Sequence, residues 1–390
     1  MFLPNDLSFI LTEYAEEREN YFNAVSPPIM QTSNFTFKKV EDMRKAFADE
    51  MSGYLYSRGL NPTVDILRKK LAALDGAEDC LVFNSGAAAI FAGILANVKS
   101  GDHVVSVRNP YTWAQKTFDV ILPRFGVTTT YVDGRDIKNF EAALKPNTVL
   151  IYLESPNSWD YALQDLKAVA GLARSKSITT MIDNSYCTPL YQRPIDLGID
   201  LVMQTATKYI SGHSDTLGGV LSGSKAMMKK IFDSEYLNVG SGIQPFNAWL
   251  LIRGLRTLPA RLERITRSTA EVVTFLKQHE RVGSVLFPLD DSFPQYELAR
   301  RQMRGACGLL TFTIKDGTCE SITRFCESLK HILMAVSWGG HESLVIPKCA
   351  GIDPSDFDPS TIEHQYIRMY VGLEEPSYLI ADINQALNLV

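Results

Sequence analysis

Residues 181–219 open with MIDNSYCTPLYQ and close with DLVMQTATKYISGHSDTLGG, and the fold turns on how this stretch is read. Asp183 ends one apolar run, and Lys208 follows the next inside a cluster of small hydroxyl residues. Their separation is about what a parallel strand, a crossover and a second parallel strand consume. Both side chains are therefore expected at the carboxyl edge of one sheet, where open α/β sheets bind ligands. A lysine placed there beside Thr205 and Thr207 suggests a Schiff-base nitrogen next to a phosphate.

Working outward, strand-like runs occur at 80–83, 103–107, 127–132, 148–153, 178–182, 200–205 and 218–223. Helical spacing separates most of them, at 87–98, 116–122, 137–144 and 166–173. This alternation predicts an α/β domain with a mainly parallel seven-stranded sheet covered on both faces. The last run follows the lysine loop with little room for a helix, so an antiparallel addition is expected there. Beyond about residue 240 the style changes. The Arg-rich stretch 250–278 reads as a long helix interrupted at Pro259, its Arg253, Arg256, Arg261, Arg264 and Arg267 on a solvated or subunit-facing side. GLLTFTIK, ILMAVSW and QYIRMYVGL then read as strands of a smaller α+β domain. The expected organisation is an N-terminal arm over 1–58, a large domain over 59–240 and a C-terminal domain over 241–390.

The arm lacks a sustained strand or helix period and contains VSPPIMQTSNFTF, which favours extended chain. Its Phe22, Val25, Ile29, Phe35 and Phe37 need another surface, for which a neighbouring subunit is the natural source. After it, Pro62 forces Asn61 out of helical geometry and starts an amphipathic helix carrying Val64, Leu67, Leu71 and Leu74.

At 390 residues and 45% hydrophobic content the chain can bury a sizeable core. A net charge of −5, with no long block of one sign, gives no reason to expect nucleic acid or an anionic membrane as a partner. The first twenty or so residues lack a basic, apolar signal pattern, and the longest apolar run, 86–98, is too short to span a bilayer. A cytoplasmic protein is expected. The six cysteines contain no CxxC pair and the histidines no ligand spacing, so neither a disulfide framework nor a metal site is expected.

The chemistry assembles from several places. CLVFNSGAAAIFAGIL is a strand, a turn and a helix start, with Asn84 or Ser85 as N-cap and Gly86 permitting close backbone approach. Such a turn alone is common packing. Its weight comes from a second hydroxyl cluster, Thr205 and Thr207, at the same expected edge. Asp183 alone reads as a turn residue; with Lys208 it reads as the anionic partner of a heterocyclic nitrogen that serves as an electron sink. Desolvation and a nearby cation would leave the Lys208 amine neutral enough to form an imine and act as a base.

On these residues the chain resembles the Cys/Met-metabolism branch of the fold-type-I pyridoxal-phosphate enzymes. The resemblance runs from about Tyr54 to the C-terminus. It rests on YSRGLNPT, NSGAAAI, KPNTVLIYLESP, IDNSYCTPL, QTATKYISGHSD, RGLRTL, SWGGHESL and IRMYVGLE. It implies pyridoxal 5'-phosphate held by Lys208, with Asp183 on the pyridine nitrogen. Ser85, Gly86, Ala87, Thr205 and Thr207 would hold the phosphate, completed by Tyr56 and Arg58 from a neighbouring subunit. Tyr111 would stack on the ring, Ser158 lie near the phenolic oxygen, and Arg368 grip the substrate carboxylate. Ser337 and Trp338 would line the substrate side with Tyr56 and Tyr111. Catalysis would fall to Lys208, Tyr111 and Asp183. A homo-oligomer is implied, expected as a tetramer built from two dimers whose subunits share active sites.

Departures concern the substrate. Ala87 replaces a methionine frequent in the family, Ser158 an asparagine, and Trp113 a small residue that borders the entrance. Trp338 in SWGG and Ser158 resemble the bacterial cystathionine β-lyase pattern. The expected reaction is therefore β-elimination of cystathionine or a cysteine-type thioether to pyruvate, ammonia and a thiol. It is weighed against γ-elimination or γ-replacement, and against a non-catalytic member of the fold.

Overall fold

The computed structural model describes residues 6–390, so residues 1–5 of the expected arm lie outside the described residues. The large sheet contains β1 (Asp79–Phe83), β2 (His103–Val107), β3 (Thr128–Val132), β4 (Thr148–Glu154), β5 (Thr179–Asp183), β6 (Leu201–Thr205) and β7 (Gly219–Gly223). Their spatial order is β1-β7-β6-β5-β4-β2-β3. β7 is antiparallel to both β1 and β6, and the other pairs are parallel. Continuous apolar runs such as LVM in β6 and LIY in β4 suit strands buried on both faces.

Register decides what reaches the carboxyl edge. Glu154 at the end of β4 is the direct partner of Asp183 at the end of β5. Lys208 lies just beyond the end of β6, so Asp183 and Lys208 emerge at one edge, as their spacing implied.

A second sheet, order β10-β11-β12-β9-β8, contains β8 (Val282–Leu286), β9 (Leu309–Ile314), β10 (Leu333–Met334), β11 (Leu344–Pro347) and β12 (Ile367–Tyr370). Of the expected strand ILMAVSW only Leu333–Met334 pairs, because Ser337 turns the chain with φ 92° and Gly339 with φ 88°. β8 and β11 were not anticipated: β8 (VGSVL) is interrupted by Gly283 and Ser284, and β11 (LVIP) is four residues long and ends at a proline.

The arm differs from expectation. Helices α1 (Leu7–Thr12) and α2 (Val40–Ala48) form within it. The first docks on its own chain, burying Ile10 and Leu11 in the main core. A buried clasp secures it: Lys70 Nζ donates to the Ile10 carbonyl at 2.7 Å and pairs with Glu16 at 3.2 Å, and Arg256 pairs with Glu16 at 2.9 Å. Phe22 and Val25 remain fully or mostly exposed, at 101% and 80%. Residue 61 is extended as foreseen, and its side chain caps α3 (Pro62–Asp75) by accepting from the Thr63 amide at 3.0 Å.

Two further expectations change. The helix Pro245–Gln278 continues through Pro259. A proline inside a helix costs about 3 kcal/mol. Burial of Leu251, Leu255, Leu258, Leu262, Ile265 and Leu276, at roughly 1.5–3 kcal/mol each, outweighs that. Its arginines are not simply solvated: Arg261 is buried and donates to the Gly254 carbonyl at 2.9 Å, while Arg264 pairs with Glu375 at 2.8 Å. The segment 116–122 departs from α-geometry, with Thr117–Ile121 forming a wider π turn after Thr112–Lys116. Among the described residues no helix is long and apolar enough to cross a membrane.

At the opposite end of α3, Asp75 is fully buried and accepts from Gln204 and Ser222, each at 2.6 Å. Burial pushes its carboxyl up to about 7, against those hydrogen bonds and the more distant charge of Arg193. The unfolded chain releases this proton near pH 4, whereas the folded chain holds it to about 7, so stability falls as pH rises across that window. Asp75→Asn keeps the shape without the titration. Its thermal stability relative to the parent should be more favourable at pH 8.5 than at pH 5 by at least about 1.4 kcal/mol, the value of one pKa unit. A stability difference that does not vary with pH in thermal-unfolding scans would refute this.

Candidate active site

The site begins where β1 turns into α4 (Gly86–Leu95). Ser85 adopts extended geometry and caps the helix, its hydroxyl accepting from the Ala88 amide at 3.2 Å. The amides of Gly86 and Ala87, in the first turn, have no intrahelical acceptor and carry the positive end of the helix dipole. The start of β7 closes against this turn: a Cβ on Gly219 would sit 2.1 Å from the Ser85 carbonyl oxygen. One on Gly86 would sit 2.7 Å from the Thr205 side chain. Only glycines let these backbones meet, and they form a cradle. Thr205 and Thr207 place their hydroxyls 3.3 Å from the Gly218 carbonyl, and the Gly218 amide returns a bond to Thr207 at 3.1 Å.

Lys208 sits beside the cradle. Burial, reinforced by the charge of Arg368 and opposed by Asp183, lowers its amine to about 8. The amine donates to the Ser337 hydroxyl in a short hydrogen bond and lies 5.4 Å from the centre of the Trp338 ring. The turn bearing Ser337 presses onto the lysine backbone: a Cβ on Gly339 would come within 2.8 Å of the Lys208 carbonyl carbon. That contact, together with its left-handed φ, requires glycine.

Asp183 is buried, and that raises its pKa. Hydrogen bonds from Ser185 and the charge of Lys208 act the other way, favouring the carboxylate. The Ser185 amide donates to Asp183 at 2.9 Å, and the Ser185 hydroxyl accepts from the Thr205 amide at 2.7 Å. Tyr111 faces this group; burial first, then Asp183 and Glu154, raise its phenol, which stays protonated. Arg368, on β12, is buried and donates to the Ser158 carbonyl at 2.9 Å. Burial lowers its pKa, yet a guanidinium starts so high that it remains cationic. Among the described residues no carboxylate forms an ion pair with it. Trp159 stacks on it at 4.7 Å and on Lys348 at 4.5 Å.

The structure thus brings together Ser85, Gly86, Ala87, Thr205, Thr207, Lys208, Asp183, Tyr111, Ser158, Ser337, Trp338 and Arg368. Tyr56 and Arg58 stand apart: they pack on each other at 5.5 Å, and no hydrogen bond or ion pair joins either to that group. Trp113 is 52% exposed and stacks with Lys116 at 4.6 Å. Trp338 is buried against Tyr209, ring centres 5.2 Å apart, so packing alone accounts for its size. His213 makes a loop contact, its Nδ1 lying 2.7 Å from the Ser211 carbonyl. Sequence reasoning missed Glu154, Ser185, Asn157 and Trp159. The acidic residue ending the apolar run TVLIYLE was a usable signal for the first, since it repeats the pattern that singled out Asp183.

A partly neutral buried amine, an acid on the neighbouring strand and a glycine-lined cradle of amides and hydroxyls fit a phosphate-bearing aldehyde cofactor. Fold and chemistry together are those of a pyridoxal-phosphate-dependent enzyme. The chain belongs to the Cys/Met metabolism PLP-dependent enzymes, which it matches over residues 10–388. It is 38% identical over 383 residues to an L-methionine gamma-lyase of Treponema denticola, covering 96% of this chain and 95% of that protein. It is 34% identical over 363 residues to an O-succinylhomoserine sulfhydrylase of Pseudomonas aeruginosa, covering 92% and 90%. The crystal structure of metB from Corynebacterium glutamicum superposes with a TM-score of 0.91 over all of both chains, at 32% identity.

Because Arg368 lowers and Asp183 raises the Lys208 amine, removing each should move it in opposite directions. Capture of pyridoxal phosphate by the cofactor-stripped protein, followed by imine absorbance, should reach its half-maximal rate near pH 8 in the parent. Arg368→Met should shift this midpoint up and Asp183→Asn should shift it down. Shifts in the same direction would refute the opposed-charge account.

Proposed function

We propose that this enzyme is a pyridoxal-phosphate-dependent carbon–sulfur lyase that carries out γ-elimination on methionine or a closely related γ-substituted amino acid. The observation that carries this reading is the likeness to the methionine gamma-lyase relative along nearly the whole of both chains. The lysine, aspartate and arginine set of the same site supports it. The comparison favours γ-elimination over the β-elimination of cystathionine expected from Trp338 and Ser158. The buried packing of Trp338 on Tyr209 also weakens the argument that this residue selects Cβ cleavage.

The cofactor, once bound, supplies an electron sink for charge developed at the carbons next to the substrate nitrogen. On this reading Asp183 keeps the ring nitrogen protonated. The cradle of Ser85, Gly86, Ala87, Thr205 and Thr207 receives the phosphate, and Arg368 holds the substrate carboxylate by a two-pronged contact. Lys208, freed by the incoming amine, removes the proton from Cα and then one from Cβ. Ser337 orients the lysine through their hydrogen bond. Tyr111, its phenol held protonated, donates to the departing sulfur at Cγ. Hydrolysis then yields 2-oxobutyrate and ammonia beside the thiol.

The same reading treats 59–240 as the cofactor-binding domain and 241–390 as a smaller domain that supplies Ser337 and Arg368. It also treats the protein as a homo-oligomer in which Tyr56 and Arg58 serve a neighbouring site. The exposed Phe22 and Val25 and the isolation of that pair within one chain support this.

Assays with methionine, cystathionine, cysteine and O-acetylhomoserine discriminate the branches. Methionine should give 2-oxobutyrate and methanethiol, and pyruvate from cystathionine as the dominant product would overturn the proposal. Tyr111→Phe should lower kcat by about 10²-fold, the usual contribution of a positioned acid. For the shared site, mixing inactive Lys208→Ala with Arg58→Ala protein should restore part of the activity after subunit exchange. No recovery in confirmed hetero-oligomers would count against it.

A further inference from the structure

Glu154 is almost wholly buried at the carboxyl end of β4, beside Asp183, and the mechanism above makes no use of it. Its two oxygens are divided between two loops. One accepts from the Tyr111 backbone amide at 2.5 Å, the other from the Ser158 amide at 2.9 Å. The Ser158 carbonyl in turn accepts from Arg368 at 2.9 Å. A continuous chain of hydrogen bonds therefore runs from the tyrosine wall of the site, through one carboxylate, to the arginine wall. The Glu154 backbone is itself held, its amide donating to Gln164 at 3.2 Å.

The cost of placing this carboxylate here is evident. Burial and the neighbouring charge of Asp183 both raise its pKa, and the two amides pull it back. A glutamine could serve one amide but would turn its own N–H₂ toward the other. An apolar residue would leave two buried backbone donors unpaired, at about 1–3 kcal/mol each. A carboxyl group places an acceptor oxygen toward each of the two amides.

We propose that Glu154 is a positioning residue that couples the two walls of the site, so that Tyr111 and the Ser158–Arg368 pair are held at one fixed separation. Substrate lying between the Tyr111 ring and the Arg368 guanidinium is then gripped at both ends by parts whose distance is set beneath it. The proposal rests on the reading of Tyr111 and Arg368 as substrate contacts. A second link between the same loops, Asn157 Nδ2 to the Asn109 carbonyl at 2.8 Å, is independent of Glu154 and could do this alone. The test must separate them.

Glu154→Gln holoenzyme, without substrate, is compared with the parent by hydrogen exchange resolved on peptides covering 111–116, 157–162 and, as a control, 86–95. Exchange at both loops should accelerate by about tenfold or more while the control is unchanged. KM for the amino-acid substrate should then rise at least about fivefold, with a smaller fall in kcat. Acceleration at one loop alone, or at neither, would show that Asn157 suffices and would overturn the proposal. Exchange is read without turnover, so a wrong assignment of the substrate contacts appears as loosened loops with an unchanged KM. That outcome refutes those assignments and leaves the coupling standing. Should Glu154→Gln fail to fold, Glu154→Asp keeps the charge but is one methylene too short to reach both amides. It is read on the same peptides with the same criteria.

Discussion

Desolvation of the Lys208 amine between a cation and an anion is the constraint on which the rest of the site depends. Burial lowers the lysine's pKa and Arg368 adds to that, whereas Asp183 resists it. The balance leaves an amine that is cationic or neutral within reach of ordinary pH, which is what an imine-forming base requires. Each of the three charges comes from a different element: the loop after β6, the end of β5, and β12 of the second sheet. The two sheets must therefore be held against each other closely enough for β12 to act on a lysine of the first.

The Ser337–Gly340 turn makes that closeness possible. Gly339 lets the turn lie directly on the Lys208 backbone, and Ser337 meets the amine from there. Tyr209, immediately after the lysine, anchors the same junction from below: it stacks near Trp338 and Tyr370, and its hydroxyl accepts from the Gly308 amide at 2.8 Å. Trp338, striking in the sequence as a possible selector of the bond to be broken, is in its setting part of this packed junction.

Much of the architecture could be read from the chain because its strands are continuous apolar runs separated by helical periods. The antiparallel seventh strand followed from the shortness of its connection. Other elements eluded such reading for identifiable reasons. Pro259 reads as a break on local propensity, and a buried apolar face overrides it. The arm reads as irregular because α1 is only six residues long and is stabilised by Lys70 and Glu16, which are distant in sequence or buried by the fold itself. β8 is interrupted by Gly283 and Ser284, and β11 is a four-residue run closed by Pro347, so neither registers as a strand without a partner.

The sequence by itself determined the kind of chemistry. Asp183, Lys208, the Ser85–Gly86 turn and the Thr205–Thr207 pair lie next to strand ends, where local pattern and sheet topology dictate position. Arg368 could be matched to the family by its motif, but what it does to Lys208 could not be read there. Tertiary structure alone decided how the site is held. Glu154 reaches Tyr111 across 43 residues and Ser158 across four, and Arg368 reaches Ser158 across 210. Hydrogen bonds and charge act through space with no memory of chain separation, so a residue whose role is to join distant loops leaves little local signature.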